Sequence, residues 1–213
     1  MAVYCNDGFS LAEMIVEKVS GKKFSDFLQE RIFSPLALKN TGLGVGQLPS
    51  QSGVNIARYY DSAGRIDPLE VVSFLASGGL SATAEDLCRF ADSFSGKGPQ
   101  ILSSRSLAEM HKNQPTAFWG KLPRPTISLG LGWDFTSLPN FSAAGITVMG
   151  KSGGTGNYTS MLFTVPEKRI SVAVIGAGRS GRAMEISLKV LDAYLLQKGL
   201  LSNSALQEPL TLP

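Results

Sequence analysis

Apolar residues recur at a helical spacing through the first part of this chain, then switch to short runs of β-forming residues near residue 126. Leu11, Ile15 and Val19 stand four apart, with Gly21 after them as a stop. Ser10-Leu11-Ala12-Glu13 has the Ser-x-x-Glu form of a capping box and predicts a helix opening at Ser10. A second helix is predicted from Ser25 to about Ile32. It ends before Ser34-Pro35, because the residue ahead of a proline avoids helical geometry. Thr41 to Asp67 is rich in Gly, Ser and Gln and reads as irregular, with a turn at Ala63-Gly64. Thr83-Ala84-Glu85-Asp86 opens a third helix with Leu87, Phe90, Ala91 and Phe94 on one face. Ser103 or Ser104 caps a shorter one through about Met110, and Pro115, Pro123 and Pro125 end helical structure there.

Four segments rich in Val, Ile, Thr and aromatics follow: Ser128 to Phe135, Ala144 to Met149, Tyr158 to Val165 and Ile170 to Ile175. They read as consecutive antiparallel strands, with Pro166-Glu167-Lys168-Arg169 as a hairpin turn. Gly181 to Lys198 is one long amphipathic helix, with Met184, Leu188, Leu191 and Leu195 on its stripe. Helices, then a meander, then a helix able to cover the sheet is an α+β order. The expected organisation is a mostly helical region over 1–125, strands and a C-terminal helix over 126–199, and a loosely held tail over 200–213.

Composition narrows the function classes. The chain has 213 residues, enough for a sizeable core in one domain or two lobes of one. Its net charge of +3 comes without any basic run longer than Lys22-Lys23, so no nucleic-acid partner is expected. Two cysteines, Cys5 and Cys88, are too few for a disulfide framework and lack zinc-ligand spacing. A single histidine, His111, excludes a His-rich metal site; placed at a helix end, it suits the dipole as a cation. No apolar run reaches membrane-span length, and no basic segment followed by an apolar one marks a leader at the N-terminus.

Two short motifs suggest chemistry. Tyr4-Cys5-Asn6, ahead of a helix, can place a phenol and an amide in one cleft. A cationic lysine beside a phenol favours the phenolate, which can then act as a general base toward a serine. Alone, the triplet reads more simply as a tyrosine beside a polar turn. Gly150-Lys151-Ser152-Gly153-Gly154 sits at a strand end. Its glycines would let a substrate lie against the strand edge. Lys151 could offer positive charge to the base or to a substrate carboxylate, Ser152 a hydrogen bond, and the Gly154 N–H a contact to an oxyanion. The plainer alternative is a Gly-rich turn with an exposed lysine. The same residues fit G-x-S-x-G, but that elbow needs a helix next and a histidine downstream, and His111 lies upstream.

Read in order, these motifs resemble the serine β-lactamase and penicillin-binding-protein-like superfamily, above all its class C β-lactamase, D-Ala-D-Ala carboxypeptidase and esterase branch. The resemblance spans nearly the whole chain: Tyr4-Cys5-Asn6 with its helix, Val19 to Leu36, Gly78-Gly79-Leu80 through Phe90, and Lys151-Ser152-Gly153. It implies a β-lactamase/transpeptidase-like fold with its N-terminal part missing. It implies Tyr4 as base or part of the proton relay, Asn6 on the substrate amide, Lys151 as electrostatic tuner, Ser152 and Gly153 at the substrate, and the Gly154 N–H as half of the oxyanion hole. It implies a small-molecule or peptide substrate, no cofactor, and a parent of a kind often periplasmic or extracellular. The family nucleophile is the serine of a Ser-x-x-Lys motif preceding Tyr-x-Asn. The one Ser-x-x-Lys here, Ser20-Gly21-Lys22-Lys23, follows Tyr4 and holds a helix-breaking glycine, so Ser20 reads as a turn residue. The expectation is the C-terminal portion of a serine hydrolase, inactive alone. The alternative is a binding or assembly module that complements a separate N-terminal chain or self-associates.

Overall fold

The second half of the chain builds a three-stranded antiparallel meander of β3 (Met149–Gly154), β4 (Tyr158–Val165) and β5 (Ile170–Ala177), with β4 central. The computed structural model describes residues 4–44, 55–70, 72–114, 128–178 and 181–206. The helices ahead of the sheet are α1 (Asn6–Ser20), α2 (Phe24–Leu28, running on as a π-helical turn Gln29–Phe33), α3 (Ala84–Asp92) and α4 (Ser104–His111). A two-residue pair, β1 (Gly42–Leu43) with β2 (Leu80–Ser81), ties residues 42–43 to the segment ahead of α3. Short α5 (Pro139–Ala143) precedes the sheet and α6 (Ala183–Gln197) follows it.

Alternation along β4 explains the layering. Met161, Phe163 and Val165 join Leu188, Leu191 and Leu195 of α6 in one cluster. Leu162 joins Ala91 and Phe94 from α3 and its C-terminal end, Leu107 of α4, and Trp133 in another. β4 is therefore buried on both faces, which is why it reads as a continuous apolar run. A third cluster of Leu28, Phe33, Leu36 and Leu38 reaches the second through Phe90.

Several expected elements shift, each for a local reason. Helix α1 starts four residues before Ser10, with the Cys5 Sγ accepting the Gly8 N–H at 3.3 Å. Cysteine is not a usual cap residue, so the sequence carries no signature there. Glu13 forms no capping box; its carboxylate accepts the Ala76 N–H at 2.9 Å. Ser128 to Phe135 is not a strand. The chain doubles back through Gly130 and Gly132, the latter at φ 82°, and the Thr136 N–H returns to the Ser128 carbonyl at 2.8 Å. Ala144 to Met149 is not a strand either: it follows α5, and the Ile146 N–H bonds back to Phe141 O at 3.0 Å. The strand begins at Met149 and runs through the glycines. A Cβ at Gly150 would stand 2.6 Å from the Phe163 ring, so the ring takes the space a side chain would need.

The remaining elements lie close to expectation. Thr83 caps α3, Ser103 caps α4, and the Met184-Leu188-Leu191-Leu195 stripe of α6 faces the core. The Pro166–Lys168 turn ends in Arg169 at φ 55°, whose guanidinium grips Asp92 at the end of α3 with bonds of 2.8 and 2.6 Å. Residues 200–206, expected to be loosely held, pack on α6. Leu201 is buried, and Asp192 accepts from the Ser204 hydroxyl and the Ala205 N–H at 2.8 Å each. Pro115, Pro123 and Pro125 lie outside the described residues.

His111 departs from its expected charged role. Burial, partly opposed by Glu167, pushes its imidazole below the ordinary histidine value, so the cation is disfavoured. Below about pH 6.5 the unfolded chain takes up a proton that the folded one resists. Stability is then full above that pH and falls as pH drops through 6.5 toward the lowered folded value. Urea midpoints at pH 7.5, 6.5 and 5.5 should decline in the parent protein and lose that component in His111→Phe. An equal decline in both would contradict this assignment.

Candidate active site

Strand β3 is the edge of the sheet nearest Tyr4, and its pattern of free and occupied groups defines the site. Lys151, Ser152, Gly153 and Gly154 pair with Leu162, Met161, Ser160 and Thr159 of β4. The opposite edge of β3 is engaged in part. The Gly150 N–H donates to Phe135 O at 2.9 Å, and the Ser152 N–H donates to Asp134 Oδ2 at 2.8 Å. In an antiparallel strand the outward N–H groups recur every second residue, so the Gly154 N–H is next on that edge. Among the described residues a Cβ at Gly154 would meet nothing within 4 Å, so that side of the strand is unobstructed by them.

Asp134 was not foreseen, and it organises the strand. Its Oδ2 accepts the Ser152 hydroxyl at 2.6 Å and the Lys151 ammonium at 3.2 Å, and Oδ1 lies 3.2 Å from the same ammonium. Lys151 also donates to the Ser152 carbonyl at 2.7 Å. The ammonium stands 5.5 Å from the centroid of the Tyr4 ring, a cation–π distance. Two of the sequence motifs thus meet in space. Tyr4 is 63% exposed, and Asn6 follows as the first residue of α1 with an exposed side chain.

The third motif, Gly78-Gly79-Leu80, is tied into the fold through its backbone. The Gly79 N–H closes a turn onto Phe74 O at 2.9 Å, and Glu13 of α1 grips that turn at Ala76. Downstream, Asp86 is buried and accepts the Asn40 N–H at 2.7 Å and the Thr41 hydroxyl at 2.9 Å. Glu70, also unforeseen, clamps the β3–β4 turn by accepting from the Gly156 and Asn157 N–H groups at 2.9 and 3.2 Å. A hydrogen bond from Thr155, then these backbone bonds, hold its carboxyl below the usual range. The Tyr158 hydroxyl donates to Ala57 O at 2.8 Å and adds a second tie to that segment. No short motif marks Asp134 or Glu70, because each acts through a fold contact distant in sequence.

Ser152 lies within a strand and is followed by another strand, so the nucleophile-elbow reading does not apply. Ser20 ends α1, and its hydroxyl accepts the Lys22 N–H at 3.2 Å, as a turn residue does. Among the described residues no group of three or more His, Cys, Asp or Glu side chains could hold a metal ion, and no helix is long and apolar enough to cross a membrane.

A mixed fold with a Lys-Ser-Gly edge strand beside a Tyr-x-Asn helix is the β-lactamase/transpeptidase-like fold that the sequence resembles. The Beta-lactamase family profile matches residues 1–194, and the chain belongs to that family. Penicillin-binding protein 4 of Amycolatopsis lactamdurans is 25% identical over 190 residues, which cover 82% of this chain and 47% of that protein. The octameric penicillin-binding protein homologue from Pyrococcus abyssi superposes with a TM-score of 0.71 at 26% identity, over 98% of this chain and 44% of that one. The D-amino acid amidase of Ochrobactrum anthropi SV3 gives 0.66 at 27%, over 91% of this chain and 62% of the other. The chain spans less than half the length of the curated relatives it matches.

Proposed function

We propose that this chain supplies two walls of a serine acyl-transfer site and that the serine nucleophile comes from outside these 213 residues. The parent enzyme would attack a β-lactam, a peptidyl-D-alanine or an ester. The serine oxygen bonds to the acyl carbon, Tyr4 takes the serine proton and delivers it to the leaving group, and water then cleaves the acyl-enzyme. Asn6 contacts the substrate amide, and the Gly154 N–H is half of the oxyanion hole. The observation that carries this reading is the Lys151 ammonium over the Tyr4 ring at 5.5 Å, a cation beside the proposed base. The relatives' names, a penicillin-binding protein and a D-amino acid amidase, fit this substrate range.

Without the nucleophile, the chain alone has binding and oxyanion contacts but no covalent turnover. The test is hydrolysis of a nitrophenyl ester by the chain with and without a polypeptide carrying the Ser-x-x-Lys part of the family domain. Turnover is expected in the mixture and not with either part alone. Turnover by this chain alone would contradict the proposal.

The surface of α1 favours a companion reading, a module that complements a separate N-terminal chain. No residue of α1 is buried, and Leu11, Met14, Ile15 and Val19 stand exposed on it, Val19 by 82%. An apolar stripe of this kind marks a surface that another chain covers. In size-exclusion chromatography the two parts should elute as one complex, and a stable monomer indifferent to the added part would count against association.

A further inference from the structure

The environment of Lys151 and Ser152 bears on which acyl donors the site accepts, an inference that rests on β3 being a substrate wall. An ammonium has three hydrogens to donate. In Lys151 one is directed at the Asp134 carboxylate and one at the Ser152 carbonyl, and the Tyr4 ring lies over the group as well. The Ser152 hydroxyl has a single hydrogen, and it goes to Asp134 at 2.6 Å, a charge-assisted length. The Ser152 N–H goes to the same oxygen. One internal carboxylate therefore takes three donors that a substrate carboxylate would need, and it neutralises the lysine charge in place.

We infer that Asp134 is a specificity-determining residue. It fills the carboxylate position at Lys151 and Ser152 and directs the site toward acyl donors that are uncharged there, amides and esters, over those bearing a carboxylate. An incoming carboxylate would have to displace Asp134, whose side chain is 14% exposed. That would leave a largely desolvated anion without its donors and beside a second negative charge, both of which cost free energy. An uncharged donor needs no such exchange and uses the Gly154 N–H, the next outward donor along that edge after Ser152.

The test is a pair of probes that differ in this one group, N-acetyl-D-alaninamide and N-acetyl-D-alanine, titrated into the chain with the Ser152 and Gly154 backbone amides followed by NMR. The parent protein should bind the amide at least as tightly as the carboxylate. Asp134→Asn keeps the shape, frees the lysine charge, and should raise carboxylate affinity about tenfold relative to the amide. Asp134→Glu keeps the anion and should retain the amide preference. A parent protein that binds the carboxylate about tenfold tighter overturns the inference alone, as does a ratio that Asp134→Asn leaves unmoved. If Asp134→Asn does not fold, the parent and Asp134→Glu ratios decide. If neither probe moves Ser152 or Gly154 in any form, the substrate-wall reading fails and the inference fails with it.

Discussion

Replacing Phe163 with alanine should lower the unfolding free energy by about 3–5 kcal/mol, the range for deleting a large buried aromatic side chain. Phe163 is fully buried in central strand β4, facing α6, with its ring 6.3 Å from that of Phe135. It also fills the space beside Gly150, so its loss opens a cavity under the strand that carries Lys151 and Ser152. Domain stabilities are typically about 5–15 kcal/mol, so the variant should sit at the margin of folding. Urea denaturation measures the loss. A cost below about 1 kcal/mol would mean that this ring is not packed as described.

Tyr4→Phe should do the reverse: leave the fold intact and remove the chemistry. The ring that Lys151 approaches is kept and only the hydroxyl goes. Tyr4 is exposed and outside every core cluster, so stability should change by less than about 0.5 kcal/mol. In the complemented enzyme, removing the proposed base should lower kcat/KM by about 10²–10⁴-fold, the usual contribution of a positioned proton-transfer group. Equal rates for Tyr4→Phe and the parent would remove Tyr4 from the proton path. The two variants separate scaffold from site: one is read by denaturation, the other by rate.

Much of this was legible in sequence where period and caps agreed. The α6 stripe, the Thr83 and Ser103 caps and the β4 run each announce themselves within a few residues. The misplaced elements lacked such local agreement. Gly150, Gly153 and Gly154 look like a turn, yet they lie in β3 because Phe163 and Ser160 of β4 occupy the space their side chains would need or because that edge is open. Val, Ile and Thr in 144–149 look like a strand, yet the chain is still leaving α5 there. For the site, Tyr4 and Lys151 could be matched in order, but their approach depends on how α1 and β3 are placed. Asp134 sits 17 residues from Lys151 and Glu70 lies 86 from Gly156, so no spacing rule could find them.

The exposed α1 stripe and the proposed external nucleophile fit one account, the proposal that the remainder of the active domain lies outside this chain. Intact-mass measurement after incubation with an uncharged fluorophosphonate, a serine-directed probe without a carboxylate, tests that account most directly. The chain alone should keep its own mass, while the mixture with a Ser-x-x-Lys-bearing part should show a stoichiometric adduct on that added part. A stoichiometric adduct on this chain by itself would show a nucleophile within these residues and would contradict the account.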